Sequence, residues 1–289
     1  MKNYTVISDP GIDDLVALVL LWKLFSQTSN SLITTFGNAT EEITSRNGKE
    51  FISFIANSWQ FVDGAKLPLS GKVERPWPDY FHGPDGVWGV HPTTDIKSIQ
   101  SLEKYPTNKD IISLAPMRDT LTLLQNHTGK NFAVMGGAFN IEGNETKYAE
   151  TNIAFDPDSA ADFFKHCKNV DVKVVPLDVT RKVFWDIKTV KSIPESNNVN
   201  RWLKRLLLAW FDKYNHEREK NFNLHDPLAI YLLLNPKEAE WKKSGIKIIT
   251  EGQQRGRTIL SNENPICQIA LDLNNPSEIA KQIFSIVFS

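Results

Sequence analysis

Residues 4–25 read YTVISDPGIDDLVALVLLWKLF, and this stretch decides the fold class. Tyr4–Ile7 is a short β-favouring run. Ser8-Asp9-Pro10-Gly11 ends it in a tight turn, and Asp13-Asp14 opens an apolar helical stretch over Leu15–Phe25. The unit is therefore strand, turn, helix. The same alternation recurs along the chain. Strands are expected at Leu32–Phe36, Lys66–Leu69, Ile111–Leu114, Asn131–Met135, Val172–Val175, near Ile246–Thr250 and at Ile266–Leu271. Helices are expected at Glu41–Asn57, Pro116–Gln125, Asp158–His166, Asn200–Glu219, Asp226–Leu234 and from Pro276 onward. A long loop rich in Gly, Pro and Trp runs over Gly71–Pro92, and loops of that length inside a compact domain usually carry function. Strands alternating with helices predict an α/β fold, a mostly parallel central sheet with helices on both faces. No linker, repeat or charge run divides the chain, so residues 1–289 are expected to form a single domain.

Composition bounds the function. The chain has 33 basic and 34 acidic residues, a formal charge of −1, which is not the electrostatic footprint of a nucleic-acid binder. Hydrophobic residues make up 41% and charged residues 23%, which argues against disorder, a fibre or a coiled coil. Cys167 and Cys267 form no C-x-x-C pair, as expected of a reducing compartment. Leu15–Trp22 is closed by Lys23, far short of the ~20 residues that span a bilayer, and it follows strand-like sequence rather than a signal-peptide pattern. The protein is therefore expected to be cytoplasmic, with no membrane or nucleic-acid partner.

Polar clusters fall at the expected strand ends, where ligands of parallel sheets bind. Asp9, Asp13 and Asp14 crowd one turn. An Asp at a helix start caps free N–H groups, and that accounts for one of the three. Three together repel one another unless a cation neutralises them, and hard oxygen ligands favour Ca²⁺ or Mg²⁺ over zinc. An aspartyl phosphatase competes for such a turn, but it wants a second Asp two residues after the nucleophile, where Gly11 stands. His225-Asp226-Pro227 is a second acidic site at a helix start. Asn144, Glu150 and Asn152 form a third group. Glu150 and Asn152 lie two apart, so in an extended segment both face the same way, a pattern suited to vicinal hydroxyls.

Together these pieces resemble the nucleoside hydrolases of the inosine-uridine-preferring type. The family's D-x-D-P-G-x-D-D matches Ser8-Asp9-Pro10-Gly11-Ile12-Asp13-Asp14 after Ile7, its G-N-x-T matches Gly37-Asn38-Ala39-Thr40, and its H-G-x-x-G loop matches His82–Gly86. Met135-Gly136-Gly137, then Gly143-Asn144-Glu145-Thr146 and Ala149-Glu150-Thr151-Asn152, match its M-G-G and G-N-x-T-x-x-A-E-x-N run. Leu177-Asp178-Val179-Thr180 and Leu224-His225-Asp226-Pro227 complete the set, in family order from residue 4 to about 271.

The resemblance implies a nucleoside hydrolase-like fold with a Rossmann-like core. It also implies calcium-dependent hydrolysis of the N-glycosidic bond of ribonucleosides, in nucleoside salvage, by a homodimer or homotetramer. It places Ca²⁺ on Asp9, Asp14, Asp226 and a backbone carbonyl, that of Arg118, where the metal orients a water and lowers its pKa. Asp9 is then the general base and His225 the acid that helps the nucleobase leave, with His82 nearby. Asp13, Glu150 and Asn152 bind ribose hydroxyls, Asn144 the 5′ end, Asn38 lies near the metal, and Met135 and Trp88 are substrate contacts, Trp88 by stacking on the base or else by packing its own loop. The alternative is a catalytically weak relative that binds ribosides. The metal carboxylates and His225 are all present, which favours the hydrolase. Departures from the pattern are Ser8 for the first Asp, Ala115-Pro116-Met117-Arg118-Asp119 for a G-P-L-T-N-like segment, and Thr151 for an aromatic.

Overall fold

A computed structural model describes residues 3–25, 28–94, 99–106, 110–126, 131–214 and 220–289. The opening unit forms as expected. β1 (Tyr4–Ser8) runs into α1 (Ile12–Leu24), followed by β2 (Ser31–Thr34), α2 (Glu41–Phe54), β3 (Gln60–Asp63) and the single turn α3 (Asp79–His82). Next come β4 (Asp110–Ser113), α4 (Arg118–Gln125), β5 (Asn131–Met135), α5 (Thr151–Phe155), α6 (Pro157–His166), β6 (Asp171–Val175) and α7 (Leu177–Thr180). The chain continues with β7 (Phe184–Trp185), α8 (Ile187–Lys191), α9 (Asn198–Lys213), β8 (Phe222–Asn223) and α10 (His225–Leu234). It closes with β9 (Ala239–Ile248), β10 (Thr258–Ser261), β11 (Cys267–Leu273) and α11 (Pro276–Val287).

Nine strands form one sheet in the order β10-β9-β11-β6-β5-β4-β1-β2-β3. From β11 to β3 neighbouring strands are parallel, whereas β9 runs antiparallel to both β11 and β10. Side chains alternate across the sheet. Val6, Leu32 and Ile112 enter one apolar layer with α1, α9, α10 and α11, and Ile7, Ile33 and Ile111 enter the other with α4 and α6. Both faces are thus covered, as a parallel sheet requires. α1 is buried from Ile12 to Leu21, which is why its sequence is apolar all round rather than striped. Order reverses between β1 and β4, and the crevice at such a switch point, outside the carboxyl ends, is where ligands bind.

Two expected strands shift. The third strand is Gln60–Asp63, not Lys66–Leu69. Phe61 and Val62 are buried there, whereas Pro68 lacks the N–H a ladder needs. β9 begins at Ala239, well before Ile246, because Glu240, Lys242 and Lys243 mask its start as surface sequence. β10 was not expected at all. The end of the helix read to Glu219 lies at 215–219, outside the described residues. None of the helices among the described residues is long and apolar enough to cross a membrane.

Candidate active site

Four carboxylates meet at the switch point, three of them from the turn after β1 and the start of α1. Asp9 follows the strand directly, Asp13 and Asp14 sit in the first turn of α1, and Asp226 enters from the first turn of α10. All are buried: Asp9 is 1% exposed, Asp14 0%, Asp226 3% and Asp13 7%. Carboxylate oxygens of Asp13, Asp14 and Asp226 lie within 4.8 Å of one another. Asp14 is held by the Ser8 hydroxyl (2.6 Å), the Gly11 N–H (3.1 Å) and the Asn38 amide (2.7 Å). Counted along the eight positions of D-x-D-P-G-x-D-D, the first Asp falls on Ile7 and Ser8 takes the open second position, so the departure read at Ser8 belongs to Ile7; the Ser8 hydroxyl is an orienting donor to Asp14. Asn38 also donates its backbone N–H to Asp9 Oδ2 at 2.7 Å and its side chain to the Asp9 carbonyl at 3.0 Å. Asp9 Oδ1 is buried with no hydrogen-bond partner.

Such a cluster is electrostatically incomplete. Burial first, then the charge of Asp14, pushes the Asp13 carboxyl up to about 8. Burial and the neighbouring carboxylates hold Asp9 and Asp226 well above the ordinary carboxylate range. An orphaned buried oxygen and an all-carboxylate donor set fit a hard divalent cation. The geometry brings Asp13 into the group with Asp14 and Asp226, a residue that the sequence assigned to the sugar. Asp9 stands beside the three with its free oxygen. Arg118 is the first residue of α4, and its carbonyl accepts the Thr122 hydroxyl at 3.0 Å.

A cavity of about 290 Å³ opens over the carboxylates. Its walls include Asp13, Asn38, His82, Met135, Asn144, Glu150, Asn152, His225 and Asp226. Glu150 and Asn152 do not lie in an extended segment. Glu150 caps α5, accepting the N–H groups of Asn152 (2.9 Å), Ile153 (3.2 Å) and Gly137 (3.0 Å), and Asn152 is inside the helix. The helix starts there because a buried carboxylate satisfies its free donors. Asn152 spends its amide hydrogens on the carbonyls of Leu114 (3.0 Å) and Met135 (3.2 Å), so its Oδ1 is the atom left to accept from a ligand. Asn144 Oδ1 accepts the Thr151 N–H at 3.0 Å.

Two histidines face the same cavity. His82 Nδ1 accepts the Ile12 N–H at 3.2 Å, which puts its proton on Nε2. His225 Nδ1 pairs with the Thr180 hydroxyl at 2.7 Å. Burial holds both rings down to about 3, aided by His225 for His82 and by Arg181 for His225, so both are neutral near pH 7. Trp88 is not in the cavity wall. Its indole N–H donates to the Phe81 carbonyl at 2.9 Å, a Cβ on Gly83 would meet its ring at 2.8 Å, and its own φ is +50°. The aromatic wall is made instead by Tyr80, Phe81 and Tyr214, and Arg181 also lines the cavity. Sequence reading missed these four. Aromatics in a Gly-rich loop and at a helix end gave the only signal, and no spacing rule joins residue 80 to residue 214.

Comparison with known proteins agrees with this geometry. The family model for inosine-uridine preferring nucleoside hydrolases matches residues 7–280. A probable uridine nucleosidase 2 of Oryza sativa subsp. japonica is 27% identical, covering 89% of this chain and 81% of the relative. The non-specific ribonucleoside hydrolase RihC of Salmonella paratyphi A is also 27% identical, covering 96% of each chain. Among solved structures, a purine-preferring ribonucleoside hydrolase from Gardnerella vaginalis superposes with a TM-score of 0.88 at 21% identity, over 99% of this chain and 98% of that one.

Proposed function

This chain belongs to the inosine-uridine preferring nucleoside hydrolase family and is an N-glycosyl hydrolase, and from that premise we propose that it cleaves ribonucleosides to ribose and free base in a calcium-dependent reaction. The observation that carries the calcium reading is the buried set Asp9, Asp13, Asp14 and Asp226, with one oxygen of Asp9 unpartnered and with Asp13 and Asp226 in the wall of a cavity lined by sugar-type hydrogen-bonding groups. Asp9, Asp14 and Asp226 would hold the ion, together with the Arg118 carbonyl in the family pattern, and Asp13 is close enough to join them. A calcium ion bound there supplies Lewis acidity to the attacking water.

The chain's own groups do the rest. Asp9 Oδ1 takes the proton of the water that attacks the anomeric carbon. The surrounding carboxylates stabilise the positive charge that develops on the sugar ring. Asp13, Glu150 and Asn152 hold ribose hydroxyls, Asn144 holds the 5′ end, and Met135 closes the wall beneath. At the other end the base lies against Tyr80, Phe81 and Tyr214. His225 faces the departing base and, neutral when the site is free, gives it a hydrogen bond; the negative charge developing on the base favours the protonated ring, which then donates the proton, with the neutral Nε2–H of His82 close by.

Ribose release from a panel of nucleosides, with and without chelator, tests this reading. Release that stops on chelation and returns with calcium supports it. Tight riboside binding without release in the presence of calcium replaces it with the riboside-binding alternative. The proposal extends to a homodimer or homotetramer, which light scattering measures, and to the cytoplasm, in keeping with the free, buried thiols of Cys167 and Cys267, 3.9 Å apart.

A further inference from the structure

A second cavity, of about 430 Å³, lies beside the first and shares Gly143 and Arg181 with it. Lys220, Asn221 and Asn223 form its other polar walls. Arg181 Nη1 and Nη2 donate to the carbonyls of Glu142 (3.0 Å) and Gly143 (3.2 Å). Those bonds anchor the guanidinium and leave further N–H donors for a ligand. Glu142, the acid in this wall, lies 3.7 Å from Lys147. Among the described residues neither Arg181 nor Lys220 forms an ion pair. Thr151, in the wall of the first cavity and bonded through its N–H to Asn144 Oδ1, stands where the family pattern has a larger, aromatic side chain.

Two cations in one wall with no acidic partner among the described residues need an explanation. Glycosidic hydrolysis develops positive charge on the sugar ring, and Arg181 in the same wall opposes it. An anion on the substrate, held between the ring and Arg181, removes that opposition. A phosphomonoester carries about −1.5 to −2 charges at pH 7 and three strong acceptor oxygens, matching two cations and two asparagine amides. We propose that the second cavity is a subsite for a phosphate on the ribose 5′ carbon, so that nucleoside 5′-monophosphates are substrates. This rests on the N-ribohydrolase reading, with Asn144 at the 5′ end of the sugar. The step consumes one water: the C1′–N bond breaks, a C1′–O bond forms, and the water's proton ends on the base. The products are ribose 5-phosphate and free base, and the phosphoester is untouched.

Two measurements decide it. Calorimetry compares ribose 5-phosphate with ribose, and kinetics compare uridine 5′-monophosphate with uridine and inosine 5′-monophosphate with inosine. Ribose 5-phosphate should bind about tenfold tighter or more, and the nucleotides should be hydrolysed. Lys220→Gln and Arg181→Gln should each lower the nucleotide-to-nucleoside ratio of kcat/KM about five- to tenfold. Lys220→Gln leaves the carbonyl anchors of Arg181 intact, so it serves if the arginine variant misfolds. Ribose 5-phosphate binding no tighter than ribose overturns the subsite, as does hydrolysis of nucleosides but not their monophosphates. If nothing is hydrolysed yet ribose 5-phosphate binds tighter and loses that advantage in Lys220→Gln, the phosphate subsite stands and the hydrolase reading falls.

Discussion

Thr180 Oγ1 lies 2.7 Å from His225 Nδ1, tying the turn after β6 to the first residue of α10. The bond leaves Nε2 as the ring nitrogen available to a substrate. His225→Ala is expected to cut kcat on inosine by ~10²–10⁴, the usual worth of a proton donor, and far less on p-nitrophenyl riboside, whose leaving group departs unprotonated. Thr180→Val should show the same substrate split on a smaller scale. Equal losses on both substrates would make His225 a structural residue.

The carboxylate cluster sets a pH signature for stability. Asp13 is pushed up to about 8, so the folded state binds a proton that the unfolded chain releases near pH 4. That contribution is present at low pH and lost as pH rises to about 8. His82 and His225, held down to about 3, have the opposite sign, and their contribution changes only between about 3 and 6.5. Above pH 6.5 the carboxylates therefore set the slope. In chelator, Tm should fall between pH 6.5 and 8. Calcium should offset the fall, widening the gap by at least ~2–4 °C, the equivalent of ~1 kcal/mol at this length. A calcium effect that is the same at both pH values counts against a cation among these groups.

Asp9→Asn keeps the shape of the side chain but removes the charge and the proton acceptor. Turnover should vanish, and calcium affinity measured by calorimetry should fall. An active Asp9→Asn would move the base elsewhere.

Gly37 has φ +152°, and a Cβ there would lie 1.9 Å from Asp9 Oδ2. Gly37→Ala should therefore displace the Asp9 carboxylate and cost at least ~1–3 kcal/mol of stability, with activity lost alongside. Wild-type activity in this variant would mean that the loop after β2 can move without consequence for Asp9.

Asn152 Oδ1 offers one acceptor to the cavity, and Asp13 and Glu150 supply further acceptors in the same wall. Removing the ribose 2′-hydroxyl leaves such groups unpaired at ~1–3 kcal/mol, so kcat/KM for 2′-deoxynucleosides should fall about 10- to 100-fold. Equal efficiency on ribo- and deoxyribonucleosides would contradict this assignment of the pocket.

Local chemistry was readable from the chain alone. Strand, turn and helix in residues 4–25 follow from β-favouring residues, a Pro-Gly break and an apolar run, all decided by neighbours in sequence. The acidic turn, the His225-Asp226 pair and the ordered motifs are likewise short-range patterns, and they identified the family. What needed the folded chain depends on distance in space. Only packing brings Asp226 to Asp13 and Asp14, makes Glu150 a helix cap rather than part of an extended strand, and turns Trp88 into its own loop. Only packing builds one wall from Tyr80 and Tyr214 and sets Arg181 in the same cavity. Burial raises the carboxylates and keeps both histidines neutral, and burial belongs to the three-dimensional environment, not to any residue's type or place in the sequence.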